Sequence, residues 1–310
     1  MMAGDGAAGG SGAAGETVSL LVPSQTARKR VIFSADDFGL SETVNEGIEQ
    51  AHRAGILGAA SLMVAGPAAA DAVRRARALP SLAVGLHLVA IEGPAVLAPA
   101  DIPDLVDAGG QFPSDQLRLG LRYAFHPRVR RQLAAEIRAQ FAAFAATGLP
   151  LDHADAHKHM HLHPTVGRLL IGIGREFGLR ALRIPAEPPD VLAAAGTRVG
   201  RGDRLLYRWT ALLRAQARRA GLVTPAHCFG LAWSGHMTRA RLLALAPHLP
   251  AGLSEVYFHP ARHQDATLAR LMPLYEHEAE LAALCDPDVV TAFAAARRTT
   301  YAEEAARCRR

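Results

Sequence analysis

Short apolar runs and longer amphipathic stretches take turns along this chain, regularly enough to predict elements before any chemistry is considered. "RVIFSA" (30–35) is a β-branched and aromatic run that predicts a buried strand. Behind Ser41, placed as an N-cap, Val44, Ile48 and Ala51 recur at helical spacing, and Gly55 ends that helix. "AASLMVAG" (59–66) predicts a second strand, Pro67 opens a second helix to about Leu79, and "SLAVGLHL" (81–88) predicts a third strand. Residues 89–126 break the pattern. They are rich in Gly, Pro and Asp with little periodicity, and predict a long active-site loop or insertion. Regularity resumes with a helix over 127–147, a strand entering "LDHADAH", a helix over 164–177 and a strand at "LRALRIP" (179–185). A strong helix at "RLLYRWTALLRAQARRAGL" (204–222), a strand at "GLSEVYFHP" (252–260) and helix to about Leu284 complete the reading.

Strand and helix alternating through short connections is the signal of parallel βα units. The predicted class is therefore α/β, a distorted or incomplete (β/α) barrel of about seven parallel strands, with a flat doubly wound sheet as the alternative. Residues 1–28 are expected to be a disordered leader, 29–290 one catalytic barrel domain, and 291–310 a C-terminal helical tail. Within the domain, an inserted loop falls at 89–126 and a basic helical insertion near 200–248.

Composition narrows this picture only a little. Half of the 310 residues are hydrophobic, which excludes wholesale disorder and allows a large core. The net charge of +5 comes from scattered arginines, so it suggests anionic surfaces but no nucleic acid, for which no motif is present. Cys228, Cys285 and Cys308 are too dispersed for a disulfide framework or a metal knuckle, and a reducing, cytoplasmic setting is expected. The Gly/Ala-rich leader carries acids in place of a basic n-region, unlike a signal peptide, and no run of 18 apolar residues occurs.

Candidate chemistry gathers at four places. Asp36 and Asp37 follow the first strand in "SADDFG", His87 closes the third in "GLHL", His157 to His161 of "HADAHKHMH" (153–161) follow the strand at 151–156, and His259 ends the last in "VYFHP". In parallel α/β folds such strand ends share one rim, so these groups are expected to meet. Adjacent carboxylates can divide labour, one binding a metal while its neighbour handles a proton, and their proximity raises one pKa. Taken alone, the pair reads better as the cap of the following helix.

The histidine tract is the strongest of the four. If extended, residues 153, 155, 157, 159 and 161 share one face. If the chain turns helical after His157, then His157 and His161 become neighbours. Either way imidazoles converge as a divalent ion requires, and Asp155 stands ready to orient one of them. His259 suits a catalytic acid, because imidazole titrates near working pH. Two imidazoles and a carboxylate around a metal with open positions point to hydrolysis of an amide or ester.

These motifs, in this order, resemble the YdjC-like family of metal-dependent carbohydrate deacetylases, from about residue 30 to 285. The matching stretches are "ADDFG" with "LSETVNEGI", "GLH", "DAHKHMH" and "FHP". The resemblance implies that Asp37, His87 and His157 hold the metal, that Asp36 is the general base toward the attacking water, and that His259 protonates the leaving amine. It leaves open whether His159 takes part. His159, His161, Asp155 and Arg183 are further candidates for the site. A distorted (β/α) barrel and an acetylated amino-sugar substrate are implied as well. "CFGLAWSGHMTRARLL" (228–243) and "LPAGLSEVYFHPA" (249–261) are similar to the hopanoid-biosynthesis branch, which implies an N-acetylglucosaminyl hopanoid as substrate.

The helix at 204–222 carries Leu205, Leu206, Trp209, Leu212 and Leu213 as one predicted stripe among arginines. Such a helix can lie on an anionic membrane, which would place the protein peripheral to the inner membrane, and the alternative is a core helix whose arginines face water. A homodimer is one assembly open to it. Two imidazoles favour Zn2+ on ligand softness, while the family is associated with Mg2+. Rival classes are a soluble-chitooligosaccharide deacetylase, a non-haem iron oxygenase and a noncatalytic sugar-binding module.

Overall fold

The computed structural model describes residues 29–309, and the expected leader lies outside the described residues. The chain opens with β1 (Arg30–Phe38), α1 (Glu42–Ala54), β2 (Ala59–Leu62), α2 (Ala69–Arg77) and β3 (Ala83–Leu88). Next come α3 (Gln116–Phe125), α4 (Pro127–Ala146), β4 (Ala154–Ala156) and a 3-10 segment at His157–Leu162. Then follow α5 (Pro164–Glu176), α6 (Pro189–Ala194), α7 (Arg201–Arg219), β5 (His227–Phe229) and α8 (Arg239–Leu245). The last elements are β6 (Leu253–Phe258), α9 (Ala266–Leu271), α10 (His277–Cys285), α11 (Pro287–Ala292), β7 (Arg297–Arg298) and α12 (Tyr301–Arg307).

The strands form one parallel sheet in the order β4-β3-β2-β1-β6-β5, with β7 added beside the start of β1. The sheet curls into a half-barrel. Its gap is spanned by residues 181–186, which make single bridges to β4 and to Val223, and the Ala186 carbonyl accepts from the Cys228 amide at 3.1 Å. The predicted strand at 179–185 is thus only a set of bridges. Pro185 has no N–H with which to continue a ladder. The α/β distorted-barrel class holds.

Three expectations change in detail. The 89–126 stretch, read as a loop, contains α3. The 200–248 stretch, read as a helical insertion, supplies β5, which pairs with β6. The 291–310 stretch, read as helical, also carries β7.

Alternation along β1 explains how a polar site fits inside an apolar fold. Val31, Phe33 and Ala35 join the main core beneath the helices, whereas Ile32 belongs to a small cluster with Ala59, Ala181, Leu253 and Tyr301. Ile32, Ser34 and Asp36 share the second face, so they point into the barrel. Tyr301, from α12, closes the lower end and donates its hydroxyl to Glu255 Oε2. Above that plug the interior is polar: Ser34, Ser61, His87, Asp155, Arg183 and Glu255 are all buried.

Candidate metal centre

Asp36 and Asp37 are consecutive, and in a regular strand they would face opposite ways. A register shift against β2 between Ala35 and Phe38, and a φ of 63° at Asp37, remove that constraint. Both carboxylates therefore reach the site. The turn after them is held by Asn45 of α1, whose Oδ1 accepts from the Gly39 amide at 2.7 Å.

Two imidazoles converge on Asp37, which makes a group of three ligand-type side chains. His157 Nδ1 donates to Asp37 Oδ1 at 3.1 Å, and His87 Nε2 lies 3.3 Å from the same oxygen. Asp37 Oδ2 is buried with no hydrogen-bond partner. His87 is oriented from behind, since its Nδ1–H donates to Asp155 Oδ1 at 2.8 Å. Asp155 is fixed in turn by the Ser61 hydroxyl at 2.8 Å and by Arg183 Nη1 at 2.7 Å. Such an imidazole backed by a carboxylate is the usual support of a metal ligand.

Arg183 is completely buried and faces Asp36, Asp155 and Glu255 at 2.7, 2.7 and 2.8 Å. One guanidinium thus meets three carboxylates, with Asp37 a fourth close by. Uncompensated buried charge costs several kcal/mol per ion, so a divalent cation at Asp37, His87 and His157 suits this interior. Asp36, His87 and Asp155 also lie close enough together to share an ion. In that group, however, Arg183 already binds both carboxylates, and a second cation would be repelled. The donors at Asp37 fit a divalent ion better.

Local fields set the proton positions. Burial pushes Asp36 up to about 6, although Arg183 beside it favours the charged form. Burial acts the same way on Asp37, but His157 and His87 overcome it and hold the carboxyl well below its usual range. Burial would lower His87, yet Asp155 and Asp37 carry it well above the ordinary imidazole value. Burial pushes His259 down to about 3, so its ring is neutral at rest. Asp36 Oδ1 and His259 Nδ1 are both buried without a partner.

The histidine tract does not behave as one face. It follows the inward side of β4 through His153, Asp155 and His157, then Lys158 and His159 take φ values of 49° and 53° and the chain turns. His159 Nε2 is hydrogen-bonded to the Tyr257 hydroxyl at 2.8 Å, and His161 Nε2 donates to the Arg183 carbonyl at 3.2 Å. His157 therefore meets Asp37, while His159 and His161 do not join that group. The helical alternative pairing His157 with His161 is not what forms.

Sequence reasoning passed over Glu255, Tyr257, Glu280 and His277. Glu255 accepts from Arg183 and Ser34, and the Arg183 guanidinium lies 4.6 Å from the Tyr257 ring centre. Glu280 accepts from the His259 amide, and His277 Nδ1 donates to the His259 carbonyl at 2.6 Å. A carboxylate inside the apolar run "LSEVYF" was the available signal for Glu255.

One opening reaches the cluster at His157, and a second lies beside it. A cleft of about 640 Å³ is lined by His157, Glu92, Phe112 and Arg270, among others. A groove of about 400 Å³ is lined by His159 and Lys158. Glu92 and Lys158 are ion-paired between them.

A curled parallel sheet with a carboxylate–imidazole cluster at its C-terminal rim defines the class: an α/β barrel protein whose site is assembled from βα connections. More specifically, residues 30–295 match the model of the YdjC-like protein family, and the chain belongs to that family. It is 31% identical over 266 residues to a carbohydrate deacetylase of Geobacillus stearothermophilus, spanning 85% of this chain and 92% of that protein. It is 38% identical over 160 residues to a carbohydrate deacetylase of Brevibacillus brevis, which is 52% of this chain and 59% of that protein. A solved structure from Enterococcus faecalis V583, provisionally named a cellobiose-phosphate cleavage protein, superposes with a TM-score of 0.71 at 22% identity. That likeness covers 89% of this chain and 99% of the other, and concerns the fold.

Proposed function

We propose that this protein is a carbohydrate deacetylase that uses a divalent metal to remove the N-acetyl group from an N-acetylglucosamine-type sugar. The acceptor in this reading is an N-acetylglucosaminyl hopanoid. It resides in a membrane, so peripheral contact with an anionic bilayer on the cytoplasmic side belongs to the reading. The observation that carries the activity is the convergence of Asp37, His87 and His157, with the orphaned Asp37 Oδ2, in a chain of this family.

A divalent ion in this site supplies Lewis acidity toward the acetyl carbonyl and a source of hydroxide near neutral pH. The protein does the rest. Asp36 is tied through Oδ2 to Arg183 and presents Oδ1 as the base that takes a proton from the attacking water. His259 delivers a proton to the departing amine. Being neutral at rest, it must gain that proton during turnover, and the attacking water, whose first proton goes to Asp36, gives up its second as acetate forms. Asp155 keeps His87 in one orientation, and Glu280 and His277 fix the backbone that carries His259.

Acetate release from diacetylchitobiose and from an N-acetylglucosaminyl lipid tests the proposal, with Asp36→Asn as control. Release from the lipid alone supports the hopanoid-type acceptor, and release from both or from chitobiose alone supports the soluble-sugar alternative. Metal-loaded protein that releases acetate from neither defeats the reading.

A further inference from the structure

Apolar residues on α3 follow an unusual course. Leu119 and Tyr123 are buried beneath the helix, while Leu117, Leu121 and Phe125 form a second stripe at steps of four, exposed to 75%, 53% and 73%. On α7, Leu213 and Ala217 are buried, while Leu205, Trp209 and Leu212 are exposed to 68%, 44% and 48%. Elsewhere the described residues expose only Val96, Leu274 and Val290 among large apolar side chains. A soluble surface gains nothing from two such rows.

The helices that carry the rows flank a common groove. Both helices pack on α5, and both line the 400 Å³ groove, α3 through Gln116 and Gly120, α7 through Leu206 and Trp209. The indole of Trp209 is anchored there by donating to the Leu162 carbonyl at 3.0 Å. At its inner end the groove reaches His159, whose ring is bonded to Tyr257 of the catalytic barrel.

Charge decides what covers the rows. α7 exposes Arg201, Arg204, Arg208, Arg218 and Arg219, and α3 exposes Arg118. The one acid on either helix is Asp203, which accepts from the Gly200 amide. A second copy of this chain docked face to face would set these arginines against each other without acids between them. A bilayer bearing anionic headgroups offers phosphates to the guanidiniums and acyl chains to the leucines.

We propose that α3 and α7 together form a bilayer-docking face, and that the groove between them leads the apolar part of a membrane-borne substrate to the His159 end of the site. The inference rests on the lipid-borne acceptor proposed above and gives it a surface. Sequence reasoning placed Leu213 on this face, but Leu213 is buried. The α3 row was hidden within a segment read as loop.

The test uses the full chain with extruded vesicles of phosphatidylcholine alone or mixed with phosphatidylglycerol. Wild type is expected to co-sediment with the anionic vesicles at low salt, with a blue shift in tryptophan emission from Trp209. Leu121→Glu combined with Leu205→Glu, both exposed sites that leave the core intact, should weaken partition at least about tenfold. The double variant should keep its thermal midpoint. Arg204→Gln with Arg208→Gln should abolish the preference for anionic over neutral vesicles. Wild type that stays in solution, a double variant that binds as well as wild type, or a lipid-independent dimer dispersed by that variant would each overturn the proposal. The deacetylase reading is scored separately, by acetate release from an N-acetylglucosaminyl lipid dispersed in detergent without vesicles.

Discussion

Asp36 and Asp37 are neighbours with different assignments because their surroundings differ. Asp37 is pulled to its charged form by two imidazoles, whereas Asp36 shares one guanidinium with two other carboxylates. Asp36→Asn should therefore retain bound metal while kcat falls by roughly 10²–10⁴-fold, the usual worth of a general base. Steady-state kinetics beside metal analysis checks both halves. His161 offers a test independent of activity. Burial pushes it down to about 4, below its ordinary value of 6.5. A depressed folded-state pKa gives stability that is complete above about pH 6.5 and lost as pH falls through about 4. The shift corresponds to roughly 3 kcal/mol. Thermal midpoints measured from pH 7 to 4 should fall less steeply in His161→Gln than in wild type.

At the scale of elements, the two glycine-and-histidine strands show why the "GLH" pattern needs its glycine. A Cβ at Gly85 would lie 2.6 Å from the His153 ring and 2.7 Å from its carbonyl oxygen, against the neighbouring β4. Gly85→Ala should cost about 1–3 kcal/mol, by the usual penalty for overpacking, and differential scanning calorimetry would show it as a lowered midpoint. The long, periodic elements were legible from sequence: α1, α4, α5 and α7 fall close to their predicted spans, as do β1, β3 and β6. The failures have physical causes. β5 has three residues and is recognisable only through β6, to which it pairs. In α3, a buried row at 119 and 123 interleaves with an exposed row at 117, 121 and 125, so apolar residues alternate and imitate a strand. The four chemical motifs were legible because each ends a strand on the same rim. Glu255 and Arg183 were harder, since partners 72 residues apart leave no local mark.

For the molecule as a whole, the governing fact is an interior with more carboxylate than cation. Among the described residues Arg183 is the one guanidinium that meets Asp36, Asp155 and Glu255, so Arg183→Met should destabilise by about 3–5 kcal/mol, the cost of orphaning buried charges. Denaturant titration would measure it. The same imbalance makes a bound cation a folding ligand. Chelation should lower the thermal midpoint, and restoring Zn2+ or Mg2+ should raise it in proportion to the logarithm of concentration above Kd.

Metal stoichiometry across single variants goes most directly to the centre of this account. Purified wild type and Asp36→Asn should each hold about one equivalent of divalent metal by inductively coupled plasma mass spectrometry, and Asp37→Asn, His87→Ala and His157→Ala should each lose it while remaining folded. Full occupancy retained in those three variants would contradict the assignment.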